Sequence, residues 1–107
     1  MLDLEPRHLA IVAAIIRDQL PGREVRAFGS RINGRASRFS DLDLVVMGGP
    51  VGWAELGRVR DDFSESDLPF KVDIMAWDDL TPEFRKIIEA DYVAVPGIPV
   101  RTKVVSG

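Results

Sequence analysis

Two aspartates one residue apart stand at the start of a short apolar run. Asp41 and Asp43 flank Leu42, and the run continues through residues 44–47. This pattern predicts a β-strand, in which side chains i and i+2 point to the same face about 6.5 to 7 Å apart. Two carboxylates held so close without a cation repel each other, so the pair indicates a site for Mg²⁺ or Mn²⁺. The alternative is a solvated strand end at which Asp41 caps a turn.

A third carboxylate lies in a second apolar segment. Residues 70–77 alternate between apolar and other side chains, which predicts a strand with Asp73 on the face opposite its aliphatic residues. If the two strands pair, Asp41, Asp43 and Asp73 can converge on two divalent ions about 3.5 to 4 Å apart, an arrangement used for in-line displacement at phosphorus. Alternatively, Asp73 is an ion-pair partner of Lys71 or of an arginine.

A glycine-serine pair precedes the aspartates and follows another strand candidate. Gly29 would let the backbone approach a phosphate closely, and the Ser30 hydroxyl could donate a hydrogen bond to that phosphate. Ser30 could equally be an ordinary helix N-cap. Arg31 either contacts phosphate or covers the surface of a short helix. Neither a Walker phosphate-binding loop nor a dinucleotide-binding glycine motif is present.

The remaining pattern predicts alternating helices and strands. Apolar spacing indicates packing helices over residues 7–20 and 51–64, the second with Trp53 and Phe63 on its buried side. Thr81 is the predicted N-cap of a last helix that begins with Pro82. Strands are predicted over residues 25–28, 42–47 and 70–77, with about two helical turns in 31–37 and a short edge strand in 92–95. The single histidine, His8, is predicted to be solvated.

Composition narrows the class of protein. The chain has 107 residues, which suits a single domain, here with a core of about residues 4–95 and a tail of about 96–107. It has no cysteine, so a thiolate metal site is excluded and oxygen-preferring cations are favoured. A formal charge of −3 argues against general nucleic-acid binding. Apolar runs are short and no export signal is recognisable, so we expect a cytoplasmic protein without a membrane span.

Together, these motifs resemble the minimal nucleotidyltransferases of the DNA polymerase beta superfamily. The shared pattern is Gly29-Ser30, then Asp41-x-Asp43 on a strand, then Asp73 on a neighbouring strand, and the resemblance covers about residues 4–95. It implies a small two-layer α+β fold, with a mixed sheet of three to four strands and helices mainly on one face. It also implies nucleotidyl transfer from ATP or another nucleoside triphosphate with two Mg²⁺ or Mn²⁺ ions.

The resemblance further implies a role for each motif residue. Asp41 and Asp43 would ligate both ions, while Asp73 would hold the catalytic ion and help to deprotonate the acceptor. Gly29, Ser30 and, in the functional alternative, Arg31 would bind the phosphates.

The sequence motifs do not specify the acceptor of the nucleotidyl group. The chain is similar to minimal nucleotidyltransferase antitoxins encoded beside helical HEPN-domain toxins, which in that family add AMP to a tyrosine of the toxin. Two alternatives remain. One is a small-molecule or antibiotic nucleotidyltransferase that needs a separate substrate-binding subunit, and the other is a non-catalytic antitoxin that acts by contact. A homo- or hetero-oligomer is compatible with all three hypotheses.

Overall fold

The computed structural model of the chain describes residues 2–37 and 39–99. This part of the chain contains three α-helices and four β-strands, and single turns of 3-10 helix follow two of the strands. The elements are α1 (Pro6–Gln19), β1 (Val25–Phe28), a 3-10 turn (Gly29–Arg31), β2 (Leu42–Val46), α2 (Trp53–Ser64), β3 (Val72–Ala76), a second 3-10 turn (Trp77–Asp79), α3 (Pro82–Ala90) and β4 (Val93–Ala94).

The four strands form one mixed sheet in the order β3-β2-β1-β4. β1 is antiparallel to both β2 and β4, whereas β2 and β3 are parallel. A parallel pair requires a long crossover connection, and α2 provides it. The small mixed sheet with its helices confirms the predicted α+β fold class.

The two faces of the sheet differ because side chains alternate along each strand. Leu42, Leu44 and Ile74 lie on one face, are almost fully buried, and join one hydrophobic core with residues of α1 and α2. Phe28 lies on the other face beside Asp43, and the Phe84 ring of α3 meets it edge-on at 5.8 Å. Two helices therefore cover one face and α3 covers part of the other.

Helix boundaries follow the expected signals in two places. The Thr81 hydroxyl accepts a hydrogen bond from the Phe84 N–H at 3.2 Å, so Thr81 is the N-cap of α3. Pro6 and Pro82 both stand in a first helical turn, where a missing N–H costs nothing. No helix in the described part of the chain is long and apolar enough to cross a membrane.

Three local predictions are wrong. Residues 31–37 do not form two helical turns; a 3-10 turn ends at Arg31, and Gly34 has φ +78°, which a right-handed helix cannot contain. Trp53 does not pack in the core: it is the first residue of α2 and is 88% exposed, beyond the buried stripe that begins at Leu56. His8 is half-buried, with its ring edge-on to Phe70.

The prediction of one domain with a C-terminal tail stays a prediction. The Arg17 guanidinium donates to the Gly97 carbonyl at 3.0 Å, which holds the start of that segment against α1. Met1, Arg38 and residues 100–107 lie outside the described residues.

Candidate functional site

The residues singled out from the sequence meet at one end of three neighbouring strands. Asp43 of β2 is paired with Phe28, the last residue of β1, and on its other side with Asp73 of β3. Gly29 and Ser30 follow Phe28 directly. Because neighbouring strands lie about 4.8 Å apart, the Gly29–Ser30 turn, Asp43 and Asp73 form a row across the sheet end.

Asp43 is the central member of this row. It is half-buried, and burial, then the charge of Asp73, then that of Asp41 raise its pKa. Within the described residues, no hydrogen bond or ion pair reaches the carboxylates of these three aspartates. The alternative of a salt-bridged Asp73 therefore has no support among those residues. Among the described residues, the row is a concentration of negative charge without a counter-charge.

Gly29 stands against the Asp43 carboxylate. Its φ is +83°, a conformation that side-chain-bearing residues rarely adopt, and a Cβ there would lie only 2.5 Å from Asp43 Oδ2. The positive φ of the turn therefore favours glycine, and any side chain at this position would displace the Asp43 carboxylate. The turn starts at Gly29 and has no side-chain cap, so Ser30 is not the N-cap that one alternative supposed.

Arg31 does not lie on the surface of a short helix. It is only 5% exposed, and its guanidinium donates to the Ser40 carbonyl at 2.9 Å and to the Asp3 carbonyl at 3.0 Å. The same group stacks over the Phe70 ring at 4.1 Å. Arg31 thus joins the N-terminal segment, the residue before Asp41 and the residues that lead into β3.

The donor set suits a hard divalent cation, since it consists of carboxylate oxygens with no soft ligand. Gly29 also keeps the space beside Asp43 free of a side chain. The described residues nevertheless contain no group of three acidic, histidine or cysteine side chains already arranged around one metal position. Asp41 is exposed and lies just before β2, and the convergence of Asp41, Asp43 and Asp73 on metal ions stays a prediction.

Comparison with known proteins identifies the family. The nucleotidyltransferase domain family matches residues 9–95 of the chain. The chain belongs to this family. It is also 41% identical, over 95 residues, to a protein of Haemophilus influenzae named as a probable protein adenylyltransferase, MntA; the match covers 88% of this chain and 83% of MntA. The prediction of a nucleotidyltransferase is confirmed.

A solved structure shows the same fold. It is described as a toxin-antitoxin with AMP-PNP, and it matches with a TM-score of 0.69 over 81% of this chain and 71% of that one, at 18% identity. At that identity, the likeness extends to the fold alone.

Sequence reasoning missed the partners of Arg31. The alternation over residues 70–77 places Phe70 on the face opposite Asp73, and no sequence pattern indicates a role for Asp3. The Arg31 contacts join residues 28 and 39 positions apart, and no local spacing rule reports contacts over such distances. The only available signal was the position of Phe70 just before the strand that carries Asp73.

Proposed function

We propose that the chain transfers AMP from ATP to a protein acceptor, with divalent cations held by Asp41, Asp43 and Asp73. The observation that carries this proposal is the row formed by the Gly29–Ser30 turn, Asp43 and Asp73 across three strand ends. The carboxylates beside this turn meet no counter-charge among the described residues, so phosphate should bind there only together with cations. Nucleotide and metal should therefore bind cooperatively.

Each residue of the row has a distinct task in this proposal. The backbone N–H groups of the Gly29–Ser30 turn and the Ser30 hydroxyl would donate to the β- and γ-phosphates. Bound Mg²⁺ or Mn²⁺ would neutralise phosphate charge and stabilise the charge that develops during transfer. Asp73 would accept the proton of the acceptor hydroxyl. Arg31, whose guanidinium is engaged by carbonyl groups, would hold the turn and the Asp41 loop in position instead of binding phosphate.

For the acceptor, we propose a helical HEPN-type toxin encoded nearby, with this chain as its antitoxin. The name of the Haemophilus influenzae relative supports transfer of AMP to a protein. The description of the structural neighbour as a toxin-antitoxin with AMP-PNP supports the pairing. Such a pair would act in the cytoplasm, where ATP is available.

Two measurements test the proposal. Titration calorimetry should detect ATP binding in Mg²⁺ and little or none in EDTA, and equal affinity in the two would refute a metal-bridged site. Incubation with Mg-ATP and the product of the neighbouring gene should add one or more AMP units to that product, as seen in its intact mass. An unmodified product held in a tight complex would favour inhibition by contact.

A further inference from the structure

A groove of about 530 Å³ opens beside Asp73 and has no role in the site described so far. It runs between the end of α2 and β3. It is lined by polar as well as apolar side chains, among them two cations and one carboxylate: Arg60, Phe63, Leu68, Phe70, Lys71 and Asp73.

The groove follows the outer edge of the sheet, part of which Arg60 covers at Ile74. β3 is the outermost strand, paired only with β2 among the described residues. The Leu42 N–H donates to the Lys71 carbonyl at 2.9 Å. The backbone N–H and C=O groups of residues 71, 73 and 75 therefore face β2. Those of Val72 and Ile74 face outward, and Arg60 donates to the Ile74 carbonyl at 3.0 Å. Another chain can therefore approach Asp73 along this edge.

The order of groups across the sheet end indicates from which side an acceptor enters the site. The Gly29–Ser30 turn lies over β1, Asp43 on β2, Asp73 on β3, and the groove beyond β3. In phosphoryl-type transfer, the attacking and leaving oxygens lie roughly in line on opposite sides of the phosphorus. Pyrophosphate held at the Gly29–Ser30 turn therefore requires an acceptor that enters from the Asp73 side.

We propose that this groove binds the acceptor, and that it takes a protein segment whose hydroxyl-bearing residue is flanked by acidic residues. This inference rests on the proposed function. Within the described residues, no hydrogen bond or ion pair engages the exposed Lys71 ammonium, and the Arg60 side chain makes one bond to a neutral carbonyl. Both cations can pair with carboxylates of an incoming segment, while Phe63 and Phe70 contact the apolar part of its acceptor side chain.

The transfer balances with this arrangement. The acceptor oxygen forms a bond to the α-phosphorus, and the bond from that phosphorus to the bridging oxygen breaks. Pyrophosphate leaves with the electron pair, and the hydroxyl proton passes to Asp73. No oxidant, reductant or further reactant is needed.

The test uses two synthetic peptides, Glu-Glu-Tyr-Glu-Glu and Lys-Lys-Tyr-Lys-Lys, titrated into the isotope-labelled full chain with Mg²⁺ and followed by amide NMR shifts. The acidic peptide should shift resonances of residues 63–74 and bind more tightly than the basic one. Lys71→Glu should weaken the acidic peptide about tenfold and favour the basic one, since like charges then face each other. The matched control is Lys86→Glu, an exposed lysine of α3 outside the groove.

Three results would overturn the groove assignment: no shift within residues 63–74, equal affinity for both peptides, or equal weakening by the Lys71 and Lys86 variants. Mg-ATP binding by the wild type is measured separately. Its absence together with selective binding of the acidic peptide would refute the proposed function and leave the groove as a peptide site.

Discussion

Substitution of Gly29 by alanine tests the site most directly, because Gly48 offers a matched control. Both glycines have positive φ, +83° and +94°, so alanine is strained at either position. They differ in surroundings: a Cβ at Gly29 would lie 2.5 Å from Asp43 Oδ2, whereas a Cβ at Gly48 would meet nothing within 4 Å. Gly48 follows β2 at the end of that strand remote from Asp43. The difference between the two variants therefore isolates contact with the carboxylate.

The expected magnitudes follow from these two effects. Positive φ costs a side-chain-bearing residue about 1 to 2 kcal/mol, and 1 kcal/mol lowers the Tm of a domain this small by about 4 to 8 °C. Gly29→Ala also forces the Asp43 side chain from its rotamer, which costs about 0.5 to 1.5 kcal/mol more. The effect on function should be larger, since a displacement of about 1 Å in a positioned group can cost about 100-fold in rate.

The assay combines urea unfolding with Mg-ATP calorimetry and AMP transfer to the neighbouring gene product. Gly48→Ala should lose stability and keep wild-type affinity and rate, whereas Gly29→Ala should lose all three. In an Asp43→Ala background, the extra instability of Gly29→Ala should disappear because the opposing carboxylate is gone. Equal functional loss in both single variants, or wild-type function in Gly29→Ala, would refute the role assigned to this contact.

Three further predictions follow from single contacts. Arg31→Lys should lower the unfolding free energy by about 2 to 4 kcal/mol, because the carbonyls of Asp3 and Ser40 lose a buried donor. The control is Arg35→Lys at an exposed position, which should change the unfolding free energy by no more than about 0.5 kcal/mol. An Arg31→Lys variant with full stability and weakened ATP affinity would instead support phosphate binding by Arg31. Burial, Asp73 and Asp41 raise the pKa of Asp43 above 3.8, so in EDTA the Asp43 carboxyl should lose its contribution to stability as pH rises from that value through the raised pKa. The unfolding free energy of Asp43→Asn should therefore gain on that of the wild type across this interval, and a variant less stable than the wild type at pH 7 would contradict this. Thr81→Ala should lower the free energy of unfolding, measured by thermal melting, by about 1 kcal/mol because α3 loses its N-cap hydrogen bond. Thr81→Ser keeps the hydroxyl and should be about as stable as the wild type. An equal loss in both variants would show that the hydroxyl does not stabilise α3.

The strands, and the aspartates that they carry, were predictable because both depend on local spacing. Alternation with period two predicts the strands that carry Asp43 and Asp73, and the short apolar runs predict a small sheet. The parallel register that sets these two residues side by side is a tertiary property, yet a strand, a helix and a strand in succession already favour it.

The misses concern residues whose environment comes from distant segments. The exposure of Trp53 depends on where α2 begins relative to the sheet, which helical periodicity does not report. The burial of Arg31 depends on Phe70 and the Asp3 carbonyl, both supplied by other parts of the chain. Arginine is usually exposed, so its charge alone favoured a surface or ligand role.

The position of the charged row explains how a small fold can tolerate it. Leu42 and Leu44, on either side of Asp43 in sequence, are fully buried and hold β2 at the centre of the sheet. The repulsion among the carboxylates therefore acts where β2 and β3 begin, and it opposes packing only at that end. A bound cation would turn this repulsion into attraction at the same place. Binding should accordingly stabilise the strand ends more than the core, so Mg-ATP should slow amide hydrogen exchange mainly at residues 29–31, 41–43 and 72–73.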